Sequence, residues 1–476
     1  MIELRMRQHK RLSIISLTLF ILLLLPGGIA RASFTLEDEK KLGKEFYDKL
    51  EKSDVLLQDR RVNEYINKLG NSILSHNQNA PFVFHFSVVK SSAINAFATP
   101  GGYIYVNAGL ITLVGNESEL AGVLAHEIAH VNARHIADII AKSQKVGVAT
   151  LAAILAGAFL GGGDVTAAVT GFSVATATSL NLKYSREHEE EADRMGMSYL
   201  TATGYDGKTM MDFLKKMRRY EFYSNTVPSY FLTHPGTDER IRYLDGLTQT
   251  RYRHGGAENI IGSLKRIQTI LLLDRKTPDD NLKYFEEELK KNPNDPDNLY
   301  GLAVTLGNLG LTSRGLDNFQ KALLLSPDDG DILREMGITY FKSGKTEEAI
   351  KFLTSAMNNG DKDTATILYL GKAYEARGDY ATAIELYRKL LYTDDADIYY
   401  SIAMAHGKTG NKGDSHYYFG LSFKKGNKRE SALFHFNEAL KYYPQGSPRA
   451  QEIEKEIKTL KEKGSPQKPP KTASSE

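Results

Sequence analysis

The stretch Leu124-Ala-His-Glu-Ile-Ala-His-Val-Asn-Ala-Arg-His135 places three histidines and a glutamate within a few turns of chain. Asn116 and Glu119 make a helix cap with its return partner, which predicts a helix from Glu117 to about Lys142. At about 100° per residue, His126 and His130 stand one turn apart on one face, where both imidazoles reach a single ion, and Glu127 projects beside them. His135 would lie about 140° further round such a helix from His130 and is expected to stay away from that ion. The three-histidine pattern of another protease class is also absent, because its last histidine and its glycine would fall at Ile136 and Ala133. A remaining protein ligand must therefore come from elsewhere in the chain.

The acid-rich segment Ser185-Arg-Glu-His-Glu-Glu-Glu-Ala-Asp-Arg-Met-Gly196 supplies it. Glu189, Ala192, Asp193, Gly196, Tyr199 and Leu200 recur at helical intervals as one stripe, small and apolar at its far end, like a packed face. Glu187, Glu190, Glu191, Arg194 and Ser198 fall on the opposite, charged side. Two acids on a packed face need partners, because an unpaired buried carboxylate is costly. Glu189 is read as the third metal ligand, and Asp193, one turn on, as a carboxylate near the reaction centre that either orients a ligand or passes a proton. With no cysteine in the chain, thiolate ligands and disulfides are excluded.

Further candidates lie on both sides of these motifs. Phe82 to Val89 alternates as a strand does, and Thr99-Pro-Gly-Gly102 within Asn95–Asn107 has the residues of a type II turn, so a hairpin is expected. In Phe231-Leu-Thr-His-Pro-Gly-Thr-Asp-Glu-Arg240, Thr237 reads as a helix cap, which puts His234 on the loop entering that helix. A loop imidazole there can stabilise an oxyanion, occupy a fourth metal position, or simply hydrogen-bond within the loop. Val146–Gly163 and Val165–Leu182 are uncharged runs on either side of Asp164. They read either as a helical hairpin packed beside the site or as a membrane-facing lid giving peripheral membrane contact through 146–182.

Beyond about residue 280 the chain repeats. Gly310, Gly344 and Gly378 recur every 34 residues, as do Ala303, Gly337 and Gly371, while Pro293 pairs with Pro327 and Ala349 with Ala383. That period resembles the tetratricopeptide repeat, a solenoid of helical hairpins. Gly410 departs from the period, and Gly426-Asn427 with Ala432, Ala439 and Pro444 reads as a displaced last unit.

Of 476 residues, 41% are hydrophobic and 25% charged, which suits a globular chain of two or three domains. The net charge of +3 is carried by the first 32 residues, where Arg5, Arg7, Lys10, Arg11 and Arg31 face only Glu3; the remainder sums to −1, so nothing argues for nucleic-acid binding. The basic start, the apolar run Leu17–Leu25, the Pro26-Gly-Gly break and Ala30-Arg-Ala32 have the layout of a signal peptide cleaved after Ala32, the alternative being an uncleaved anchor.

His126-Glu-x-x-His130 followed by Ser185-Arg-x-x-Glu189-x-Glu-Ala-Asp193 resembles the zinc metallopeptidase family of the CAAX prenyl endopeptidase and HtpX. Asn95-Ala-Phe-Ala-Thr-Pro-Gly-Gly102 is similar to that family too, and the repeats match its periplasmic branch. The resemblance implies one Zn2+ per chain held by His126, His130 and Glu189, with Glu127 and Asp193 catalytic. The fold expected is mainly α: an α+β zincin-like metalloprotease domain over 33–255, then an α-solenoid of tetratricopeptide repeats over 256–463. Residues 1–32 are the signal peptide and 464–476 a disordered tail. It also implies a periplasmic endopeptidase acting on unfolded or stalled envelope proteins, with the repeats docking outer-membrane assembly machinery. A non-proteolytic chaperone or adaptor built on those repeats is the alternative.

Overall fold

The computed structural model describes residues 34–76, 80–142, 184–224, 227–252 and 255–462. The expected signal peptide, the runs within 146–182 and the tail from 464 lie outside the described residues. Contacts divide the chain into two compact units, Met1–Leu264 and Lys265–Glu476.

In the first unit, helix α1 (Leu36–Lys52) begins with a reciprocal cap between Thr35 and Asp38, and α2 (Arg60–Leu74) is capped by the Asp59 side chain. Three short strands follow: β1 (His85–Val89), β2 (Ala96–Thr99) and β3 (Tyr103–Asn107). They form one sheet in the order β1-β3-β2, with β3 parallel to β1 and antiparallel to β2. The β2–β3 connection is the expected hairpin, and Gly101 adopts φ +85°, the conformation that the third position of a type II turn requires. Phe46, Phe97 and Tyr105 pack between α1 and the sheet in edge-on and stacked pairs.

After α3 (Ala108–Leu113), the helix α4 (Glu117–Asn132) is buried from Glu117 through Val131, so it runs through the centre of the unit with no solvent face. Asn116 caps it as expected. The Glu117 carboxylate accepts hydrogen bonds from Tyr65, Tyr205 and the backbone amides of Ile260, Ile261 and Gly262. Those bonds keep the stretch 256–264, which the sequence assigns to the repeats, with the first unit.

The expected single helix to Lys142 is interrupted. α4 ends at Asn132, Arg134 sits at φ +56°, and a separate helix α5 (His135–Lys142) starts at once. A left-handed residue cannot continue a right-handed helix, so the chain turns there. Arg134 is anchored by Glu39 and by the Phe34 carbonyl oxygen. The unit closes with α6 (Arg186–Ala202), α7 (Lys208–Ser224), α8 (Ser229–Thr233) and α9 (Thr237–Thr250). Thr237 is the first residue of α9 and not its cap; Gly236, at φ +82°, makes the turn before it.

The second unit is helical throughout its described residues, as expected of tetratricopeptide repeats. α10 (Leu264–Arg275) and α11 (Pro278–Lys291) precede α12 (Pro296–Asn308), α13 (Thr312–Leu325), α14 (Gly330–Lys342), α15 (Thr346–Asn358), α16 (Thr364–Ala376) and α17 (Tyr380–Arg388). α18 (Ala396–Lys408), α19 (Lys412–Lys425), α20 (Arg429–Leu440) and α21 (Pro448–Glu462) complete it. The periodic residues Gly310, Gly344 and Gly378 make the turns of successive hairpins with φ of +75°, +77° and +89°. The other small set lies at helix crossings: a Cβ on Gly337 would stand 2.7 Å from Leu353 Cγ, and one on Gly371 2.5 Å from Tyr387 Cε1. A buried charge ladder ties successive repeats together, Arg266 bonding Asp297 and Asp329 while Arg334 bonds Asp331 and Asp361. Among the described residues no helix is long and apolar enough to cross a membrane.

Candidate metal centre

The site forms where α6 crosses α4. Gly196 permits the crossing, because a Cβ there would lie 3.1 Å from the His126 Cα and backbone nitrogen. The stripe expected on α6 is the buried one, carrying Glu189, Ala192, Asp193, Gly196 and Leu200, with Met197 taking the place expected of Tyr199. Glu187, Glu190, Glu191 and Arg194 are exposed.

Four predicted residues meet. Ligand atoms of His126, His130, Glu189 and His234 all lie within 4.8 Å of one another, and all four side chains are buried. The Nε2 atoms of His126 and His130 face each other at 2.9 Å. His234 Nδ1 is 3.0 Å from Glu189 Oε1 and 3.3 Å from His126 Nε2. Imidazole nitrogens and a carboxylate oxygen converging in a buried pocket are the donor set of a divalent cation of the zinc type, so these residues fit the metal that the sequence implies. Glu127 is fully buried beside them, and among the described residues neither of its carboxylate oxygens has a hydrogen-bond partner.

Asp193 occupies a different place. It lies 3.0 Å from His126 Nδ1, on the side of the ring away from the other ligand atoms, and its two oxygens accept from Arg240 at 2.7 and 2.8 Å. Arg240 also pairs with Glu189 Oε2 at 2.6 Å, so one buried guanidinium holds both carboxylates of α6. Aromatic rings pin the imidazoles: Tyr184 stacks on His130 at 3.8 Å and Tyr230 on His234 at 4.4 Å between centroids.

The electrostatics follow from this packing. Burial pushes the Glu127 carboxyl above its usual range. Burial pushes Glu189 the same way, but Arg240 and His234 outweigh it and hold the carboxyl well below its ordinary value; for Asp193 too burial is outweighed by Arg240 and His126, which lower the carboxyl. Burial and Arg240 depress His126, yet its bonds to Asp193 and Glu189 prevail and lift it to about 9. His130 is driven well down by burial and by the His126 charge. The pocket thus holds two ionised carboxylates, balanced by the Arg240 guanidinium and by His126.

Three contributors are invisible to motif spacing. Arg240 sits in the quoted His234 segment, but next to Asp238 and Glu239 it reads as an ordinary first-turn partner. Tyr184 and His135 reach the site only through folding, and no glycine or proline announces the break at Arg134 that carries His135 there.

Fold and site together have the layout of a metallopeptidase domain, a His-Glu-x-x-His helix crossed by a second helix that brings a glutamate. Residues 56–248 match the model of Peptidase family M48, and residues 366–399 and 414–446 match tetratricopeptide-repeat models. The chain is thus similar to a family M48 peptidase over residues 56–248 and to tetratricopeptide repeats further on. It is 34% identical over 217 residues to the beta-barrel assembly-enhancing protease of Yersinia pestis, covering 45% of each chain. The protein of that name from Escherichia coli is 33% identical over 218 residues, again 45% of each. The mitochondrial metalloendopeptidase OMA1 of Schizosaccharomyces pombe is 28% identical over 214 residues, 44% of this chain and 61% of that one. The aligned region thus spans about half the length of the beta-barrel assembly-enhancing proteases it matches.

Proposed function

We propose that the first unit is a zinc endopeptidase of the periplasm, acting in quality control or assembly of outer-membrane proteins. The observation that carries this reading is the convergence of His126, His130, Glu189 and His234, with Glu127 buried beside them. His126, His130 and Glu189 would hold the zinc ion, which when bound would supply Lewis acidity and lower the pKa of a bound water from about 15.7 toward about 7. Glu127, with its raised pKa, takes the proton of the attacking water and delivers it to the leaving amide nitrogen. Asp193 and Arg240 act behind the ligands: Asp193 orients His126, and Arg240 keeps Asp193 and Glu189 ionised.

His234 is the fourth ligand of a resting state in this reading. Its Nδ1 meets His126 and Glu189 while its Nε2 stands 3.5 Å from Glu127 Oε1, in the space that water and substrate need. The basic, apolar N-terminal layout supports export, and the relatives' name supports an outer-membrane role. The repeats then dock partners of the assembly machinery and bring clients to the protease.

The test is Glu127→Gln in the full chain. Zinc should remain bound while cleavage of casein falls by about 10²–10⁴-fold, the range of a lost general base. His126→Ala and Glu189→Ala should lose zinc and activity together. Full cleavage by Glu127→Gln would remove the hydrolase reading and leave the repeat-based chaperone in its place, and a pulldown from envelope extract with this variant would then report its clients.

A further inference from the structure

We infer that His135 is a positioning residue for the metal centre, holding His130 in the one tautomer that can bind through Nε2. The inference rests on the reading of His130 as a ligand. The Nδ1 atoms of His130 and His135 stand 2.9 Å apart, both rings are buried, and His135 Nε2 is 3.2 Å from Glu191 Oε2. Protons can be assigned along this chain in only one way once His130 Nε2 is a ligand. His130 Nδ1 then carries hydrogen and donates to His135 Nδ1, which must be the bare nitrogen; His135 Nε2 carries the other hydrogen and donates to the Glu191 carboxylate. Every donor meets an acceptor, and no charged imidazole is needed.

The two ligand histidines are thereby served by different outer partners. His126 Nδ1 has Asp193 at 3.0 Å, a direct carboxylate. His130 Nδ1 has an imidazole, with the carboxylate one step further out. The backbone shows that the contact is built and not incidental. On a continuous α4 helix His135 would point about 140° away from His130. Arg134 at φ +56° breaks that helix and turns His135 back, and the Glu39 carboxylate and Phe34 carbonyl hold Arg134 in that conformation. His188 stacks on the outer face of the His135 ring at 4.3 Å and Tyr184 on His130 at 3.8 Å, so neither ring can rotate freely. Glu191 is 59% exposed, so His135 is the stronger link and Glu191 the weaker.

The experiment compares full-length wild type with His135→Phe, His135→Asn and Glu191→Gln, reading zinc affinity by chelator competition and the visible spectrum of the cobalt-substituted protein. Phenylalanine fills the ring's space without an acceptor and should weaken zinc binding about 10–100-fold, the usual effect of losing an outer partner. Asparagine places an amide oxygen where Nδ1 stood and should recover most of that loss along with the wild-type cobalt spectrum. Glu191→Gln should cost less than His135→Phe. Zinc affinity of His135→Phe equal to wild type would overturn the inference, as would His135→Asn failing as badly as His135→Phe while remaining folded by circular dichroism. A wild-type chain that binds no zinc would instead overturn the reading of the site itself.

Discussion

Arg240 is the cation that both buried carboxylates of the site share. Its guanidinium is buried against Asp193 and Glu189, and their two charges outweigh the desolvation that would otherwise lower its own pKa. Removing one partner of a buried ion network leaves uncompensated charge and typically costs about 3–5 kcal/mol. Arg240→Ala should therefore destabilise the metal-free protein by that order in urea unfolding, and zinc should recover part of the loss by neutralising Glu189. His234 makes the opposite prediction. If it closes the centre as a fourth ligand, His234→Ala should raise peptide turnover while zinc stays bound. Unchanged turnover would remove His234 from the site.

At the scale of elements, small residues decide how closely helices approach. Gly196 lets α6 lie on α4, so that Glu189 and Asp193 arrive at His126. Gly337 does the same within a repeat hairpin, and Gly337→Ala would force its Cβ into Leu353. Such overpacking costs about 1–3 kcal/mol. A lower midpoint for unfolding of the second unit, with zinc binding unaltered, is the expected result. The break between α4 and α5 belongs to this scale too. Helical periodicity counted from His126 assumes an unbroken helix, and it fails for His135 because one residue, Arg134, leaves the right-handed region.

At the scale of the molecule, the two units have separate reasons to be stable. The first surrounds a buried helix and a charged pocket, and the second is a run of neighbour contacts with its own charge ladder. A ligand stabilises only the unit that binds it, by about 4 kcal/mol at a thousand times its Kd. Calorimetry of the full chain should show one transition that falls on chelation and one that does not. A single transition moving as a whole would show that the units unfold together.

The sequence by itself determined the His-Glu-x-x-His motif, the stripe of α6, the hairpin and the repeat period, because each is a local pattern set by helix and strand geometry. His126 and His130 sit a turn apart whatever surrounds them, and Gly310, Gly344 and Gly378 recur because each hairpin needs the same left-handed turn. Only the tertiary structure decided what stands behind those residues. Arg240, Tyr184 and His135 are brought in from other elements or across a backbone break, and their burial makes charge pairing and ring stacking count. In water the same groups would be solvated and indifferent to one another. Desolvation, which no linear pattern reports, turns them into parts of one site.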